Sequence, residues 1–323
     1  MKELKKYIED DDFLEAMNIA FADLRADYQL DLDARKEKIT ELEKIHVDLN
    51  GNLADLSSIA TKSSGLVTGL RGTGKTHLFL LARHNILSKI DENKTFCVYL
   101  NAKRIHAPES FDQEVFNRVF CVFLYSEISK QIFSYLESLL EEKYWNKFLQ
   151  LFDKDFNKIK SAIENALIKL SLFHSIALIG SQKLSKLDKG SEKLTISENE
   201  LVELNAKLSA KFDSKPSVSS ELSSKLREEL KKVQATESTY LNYLNLDDIR
   251  TQLVSIVKVL NINTMTIFVD EWEKLFYNEK AQEYLSFIID RLVDSPILFW
   301  IGAVPYTRTV LSSRHWRRFA LSN

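Results

Sequence analysis

A chain of 323 residues is long enough for one large domain or two ordinary ones, and a hydrophobic share of 45% excludes global disorder. With a formal net charge of -2 and a pI near 6.4, nothing forces nucleic-acid binding through bulk charge, although a local basic patch stays open. With only 8 Gly and 4 Pro, the balance favours helices with some strands.

The opening MKELKKYIEDDD is charged throughout and does not read as a signal peptide. No run of about 20 apolar residues stands out to span a bilayer, so a cytoplasmic protein without a membrane is expected. Residues 1–60 read as an N-terminal helical segment. Asp10 to Asp12 can cap a helix with Phe13, Met17, Ala20, Phe21 and Leu24 on one face, and a charged second helix carries the docking stripe Ile39, Leu42 and Ile45. A third short helix is expected over 53–61.

Residues 61–110 then change period. A short buried strand at 65–68 leads into a Gly-rich turn, an apolar helix from 75 to about 90, and a β-branched, aromatic strand at 95–100, TFCVYL. Strand, helix, strand is the unit of a parallel sheet. Cys97 and Cys121 both lie in apolar runs and read as buried thiols. Residues 111–245 read as a large helical insertion, rich in Phe, Tyr and Leu up to about 179. Within it, 181–240 is rich in Ser, Lys and Glu and reads as a polar arm, either long exposed helices or a partly mobile segment. Residues 246–323 return to core-like patterning. A helix is expected at 246–260, a strand at 265–269, a helix at 282–293 with Tyr284, Phe287, Ile288 and Leu292 inward, and an apolar strand at 296–301.

Two constellations carry chemistry. Gly69-Leu70-Arg71-Gly72-Thr73-Gly74-Lys75-Thr76 matches G-x-x-x-x-G-K-[ST] in full, with an apolar strand before it and an apolar helix after it. Gly72 and Gly74 permit backbone angles and close approach that a Cβ would block. Consecutive N–H groups then form an anion nest at the positive end of a helix dipole. Gly69, Arg71, Gly72, Thr73, Gly74, Lys75, Thr76 and His77 are the expected nucleotide-binding residues. Lys75 would reach the β- and γ-phosphates, and the Thr76 hydroxyl would ligate Mg²⁺. ATP with Mg²⁺ is therefore the expected ligand pair.

The second constellation is Met265-Thr266-Ile267-Phe268-Val269-Asp270-Glu271, a buried strand with two carboxylates at its C-terminal end, where open α/β sheets bind ligands. Asp270 would hold Mg²⁺ and Glu271 would polarise the attacking water, so Glu271 and Lys75 are the expected catalytic pair. Glu273 reads as solvent-facing or paired with Lys274. After the strand at 297–301, Gly302 to Arg308 form an exit where Thr307 and Arg308 could sense phosphate or simply lie on a surface loop. The basic cluster Arg314-His315-Trp316-Arg317-Arg318 reads either as an arginine finger or phosphate contact, or as a solvated turn or helix start. His46, His77, His84, His106, His174 and His315 lack the short paired spacings of a zinc site.

GLVTGLRGTGKTH and TIFVDEWEKLF together resemble the AAA+ and STAND branch of P-loop ATPases, especially its origin-recognition-like members. The resemblance covers roughly 50–105 and 245–310. It implies an α/β fold, a three-layer P-loop NTPase core with a parallel sheet, and the roles above for Lys75, Thr76, Asp270 and Glu271. It also implies a nucleotide site at a subunit interface, hence a homo-oligomer or protein complex, and it leaves nucleic acid open as a partner. The chain departs from the pattern in three ways. The span from the second strand to the acidic strand is far longer than a compact core needs. Gly302 and Ala303 stand where an Asn sensor is usual. No helical lid lies between the last strand and Asn323, so the lid is absent or the chain is the first part of a longer protein.

The expected function is an ATP-driven switch or motor module acting on a larger complex, with bacterial defence as a context by analogy. The alternative is a scaffold that binds ATP without turnover, with a DNA-associated role. A small-molecule kinase fits less well, because its strand end rarely carries paired Asp and Glu. No LSGGQ-like signature of a transporter ATPase is present.

Overall fold

Five strands build one all-parallel sheet: β1 (Gly65–Thr68), β2 (Thr95–Asn101), β3 (Thr264–Asp270), β4 (Ile297–Ala303) and β5 (Arg317–Ala320). The computed structural model describes residues 39, 42, 51–70, 72–105, 112–184, 198–211, 244–277, 279–304 and 317–320. The order across the sheet is β2-β3-β4-β1-β5. Parallel strands flanked by helices are buried on both faces, which is why β2, β3 and β4 read as continuous apolar runs. Alternate residues still go to different layers. Val67, Cys97, Tyr99, Phe268 and Trp300 meet one helical layer, whereas Phe96, Val98, Met265, Ile267, Phe299 and Ile301 meet the other.

The first layer holds α1 (Asn52–Ile59) and α2 (Lys75–Ser88), followed by the one-turn α3 (Ile90–Asn93). Ile39 and Leu42 are helical, and Leu42 is buried in the same cluster as Leu56 and Phe79, as its stripe predicts. Ile45 and the capping aspartates lie outside the described residues. Three contacts anchor the start of β1. The Trp300 indole N–H donates to the Ser63 carbonyl at 2.7 Å, the Phe299 N–H donates to Ser64 Oγ at 3.0 Å, and Thr266 Oγ1 donates to the Ala60 carbonyl at 2.7 Å.

The second layer is built largely from the insertion, with α4 (Gln113–Ser138), α5 (Glu142–Leu151), α6 (Phe156–Leu184) and α7 (Glu198–Ala210), together with α8 (Leu246–Val259) and α9 (Glu279–Leu292). Asp112 and Asn245 cap α4 and α8, each accepting a backbone N–H at 2.8 Å. The insertion shares one hydrophobic core with the sheet and is not an appendage to it.

Three expectations are corrected here. First, α7 falls within the expected polar arm, yet Leu201, Leu204 and Leu208 are buried in the core. Their spacing gives a narrow apolar stripe that the surrounding charge hides from a reading by composition. The rest of that arm lies outside the described residues, apart from the end of α6. Second, one stretch does suffice by length and composition to cross a bilayer: Phe156–Gly180, with mean hydropathy 1.4. Half of it is buried, with Ile163, Leu167, Leu170 and Phe173 packed in the core. A buried core helix meets the same criteria as a membrane span, so it does not indicate a membrane. Third, α9 turns Ala281, Leu285, Ile288, Ile289 and Leu292 inward, leaving Tyr284 partly buried and Phe287 42% exposed. Arg291 lies over the Phe287 ring at 5.8 Å. The aliphatic stripe sets the helix rotation, and the aromatic rides at its edge.

The sheet ends also differ from expectation. Gly302 and Ala303 belong to β4, paired with Val67 and Thr68. Arg317 to Ala320 form an edge strand and neither a turn nor a helix start. Register puts Arg317 beside Gly65, at the far end of β1 from the Gly-rich loop.

Candidate functional site

The loop after β1 begins with a tether. The Gly69 N–H donates to the Ala303 carbonyl at 3.1 Å, joining the loop to the end of β4. Gly72 and Gly74 have φ of +83° and +80°, the left-handed region that only glycine enters freely. Among the described residues, and leaving aside each glycine's own chain neighbours, nothing lies within 4 Å of a Cβ built at either position, so backbone angle is what demands glycine here. The open space in front of them is where a ligand would approach. Thr73 Oγ1 donates to the Leu70 carbonyl at 2.8 Å and tightens the turn. Gly74 caps α2 with no side-chain hydrogen bond, at the end of the helix where an anion is favoured.

Lys75 is 7% exposed, and its ammonium donates to the Gly69 and Leu70 carbonyls at 2.8 and 3.0 Å. The loop thus closes on its own lysine. His77 lies in the first turn of α2, partly buried. Arg71 lies outside the described residues.

The loop and the acidic strand meet at one atom. Asp270 Oδ2 accepts from Thr76 Oγ1 at 2.6 Å and from the Tyr99 hydroxyl at 2.8 Å. Asp270 ends β3 and is 1% exposed, with Asn101 of β2 as its register partner. Burial, then the charge of Asp270 and the hydrogen bond to it, raise the Tyr99 phenol well above its ordinary value. The phenol therefore remains a donor. On the other flank, a Cβ at Gly302 would lie 3.0 Å from the Phe79 ring and 3.1 Å from Asp270 Oδ1. A side chain next to Asp270 on β4 would need Phe79 or Asp270 to give way by a few tenths of an ångström.

Glu271 follows in a left-handed conformation, φ +57°. Its side chain is 15% exposed, with Lys274 Nζ 3.7 Å from Oε2, and that oxygen accepts no hydrogen bond. Burial raises the Glu271 carboxyl above its usual range, and the charges of Asp270 and Glu273 add to this against Lys274 and Lys103. Glu273 is not solvent-facing but 6% exposed, and Lys274 pairs with Glu271. A short 3₁₀ helix, Trp272–Tyr277, turns the chain back beneath it.

The structure thus brings Thr76 and Asp270 into direct contact across 194 residues of sequence, with Lys75 and Glu271 their immediate neighbours in the chain. Thr307, Arg308, Arg314, His315 and Trp316 lie outside the described residues. A reading by sequence missed Tyr99, whose signal was a phenol inside an otherwise apolar strand, and a buried phenol needs a partner. Among the described residues no group of three or more His, Cys, Asp or Glu side chains could hold a metal ion. Thr76 and Asp270 offer two oxygens of the kind Mg²⁺ takes when phosphate and water complete its shell. Cys97 and Cys121 are both buried and unbridged. Compared with known proteins, the chain matches no family model, no curated protein and no solved structure.

Proposed function

We propose that this chain is a Mg²⁺-dependent ATPase module of the AAA+ and STAND type, whose nucleotide state switches the assembly or conformation of a larger complex. The observation that carries the reading is the Thr76–Asp270 hydrogen bond of 2.6 Å, which joins a complete phosphate-loop motif to an acidic strand end. The sheet supports it, since β4 lies between the loop strand and the acidic strand and its Ala303 carbonyl tethers the Gly69 N–H. Bound Mg²⁺–ATP would supply the γ-phosphate bond to be cleaved and a cation that neutralises its developing charge. The loop N–H groups from Gly72 to Thr76, with Lys75 and the first turn of α2, hold phosphate. Thr76 and Asp270 hold the metal. Glu271, whose carboxyl burial raises above its usual range, would accept the proton of the attacking water.

Lys75→Ala is expected to abolish ATP binding, whereas Glu271→Gln keeps binding and stops turnover. Titration with ATP and Mg²⁺ alongside phosphate release checks both, and equal turnover in wild type and Glu271→Gln sinks the catalytic assignment. A homo-oligomer or protein complex is the proposed partner, in a cytoplasmic setting. Nucleic acid and a role in bacterial defence remain part of the proposal by resemblance alone.

One observation favours a second reading, in which the module binds ATP without hydrolysing it. Gly302 excludes a polar side chain from the sensor position of β4. Single-turnover hydrolysis, measured with and without added partner fractions, separates the two readings.

A further inference from the structure

We propose that Tyr99 is a positioning residue for the metal site, holding the Asp270 carboxylate in the orientation that receives Mg²⁺. The inference rests on the nucleotide-site reading above and extends it to a residue outside both motifs. Asp270 has a side chain with two oxygens and little to fix its rotation from the β4 flank, where Gly302 presents no side chain. Fixation comes instead from β2. The Tyr99 hydroxyl donates to Oδ2 at 2.8 Å, the same oxygen that Thr76 reaches, and Oδ1 is left facing Gly302.

Tyr99 is itself held from both sides. Its backbone lies in register with Phe268 of β3. On the open edge of the sheet, the Gln131 amide of α4 accepts from the Tyr99 N–H at 2.9 Å and donates to the Tyr99 carbonyl at 2.8 Å. Gln131 is 2% exposed and mimics a neighbouring strand at that single residue. A phenol clamped through its own main chain gives the carboxylate a fixed donor. A residue serving only to fill the core needs neither the hydroxyl contact nor the clamp.

The test measures ATP affinity of the whole chain by calorimetry, once with Mg²⁺ and once with EDTA, for wild type and Tyr99→Phe. Wild type is expected to bind ATP more tightly with Mg²⁺. Tyr99→Phe is expected to match wild type in EDTA and to lose about tenfold of the affinity gained on adding Mg²⁺, the usual scale for a group that orients a metal ligand. An unchanged gain from Mg²⁺ in Tyr99→Phe overturns the assignment. Wild type that gains nothing from Mg²⁺ overturns both this inference and the reading it rests on. Thermal unfolding without nucleotide establishes that the variant is folded. If it is not, Gln131→Leu carries the test, because it releases the Tyr99 backbone and keeps the hydroxyl. A reduced gain from Mg²⁺ then supports the assignment, and a wild-type gain overturns it.

Discussion

Glu271 holds a backbone conformation that an L side chain adopts only at a cost. At φ +57° its Cβ crowds its own carbonyl, a penalty of roughly 1 kcal/mol that glycine escapes. Glu271→Gly should therefore be more stable than Glu271→Ala by about 1 kcal/mol in urea unfolding, with both variants inactive. The strain places the carboxylate, which is a reason for a glutamate to stand where glycine would be more comfortable. Its titration gives a second prediction. In its proposed role as a base the raised carboxyl must be ionised, so any turnover should be lost as pH falls, with the loss beginning above the usual carboxylate range. Glu273→Gln removes a nearby like charge and should move this acid limb of the kcat–pH profile to lower pH. The stability sign is opposite to that of a salt-bridged acid. The folded chain binds this proton more readily than the unfolded chain, so the penalty of the charged form is present above the folded pKa. It is relieved as pH falls through that value.

Element by element, the pattern separates into what is local and what is not. Strands β1 to β4, the loop and α2 are legible because their signals sit within about ten residues, as apolar runs and a fixed motif, whereas the basic Arg317–Ala320 of β5 carries no such signal. Asp270 was legible for the same reason. Tyr99 was not, since its partner stands 171 residues away and nothing within TFCVYL distinguishes a phenol at a site from one in a core. The rotation of α9 differs from the expected one, with Leu285 and Ile289 turned inward in place of Phe287. Burial follows the face that fits the sheet, not the bulkiest residue. The edge of β2 carries its own prediction. Gln131→Leu leaves the Tyr99 N–H and carbonyl unpaired in a buried place, at a cost of about 2 kcal/mol in unfolding free energy.

For the molecule as a whole, the long stretch between β2 and β3 is structural. Phe96, Val98, Met265 and Ile267 on the sheet are covered by helices it supplies, within one continuous core. Replacing residues 106–243 with a short linker should leave a chain without a cooperative thermal transition, because half of the sheet would face water. The register of β1 has a further consequence for how the chain is made. Gly65 to Thr68 find their only strand neighbours among the described residues at Trp300 to Ala303 and Arg317 to Ala320. During synthesis the Gly-rich loop leaves the ribosome before β4, so the strand that aims it lacks this partner until more than two hundred further residues have followed. A nascent chain halted before β4 holds every letter of the motif and none of its geometry. On the proposed reading, nucleotide would stabilise only a chain in which β4 has already paired with β1.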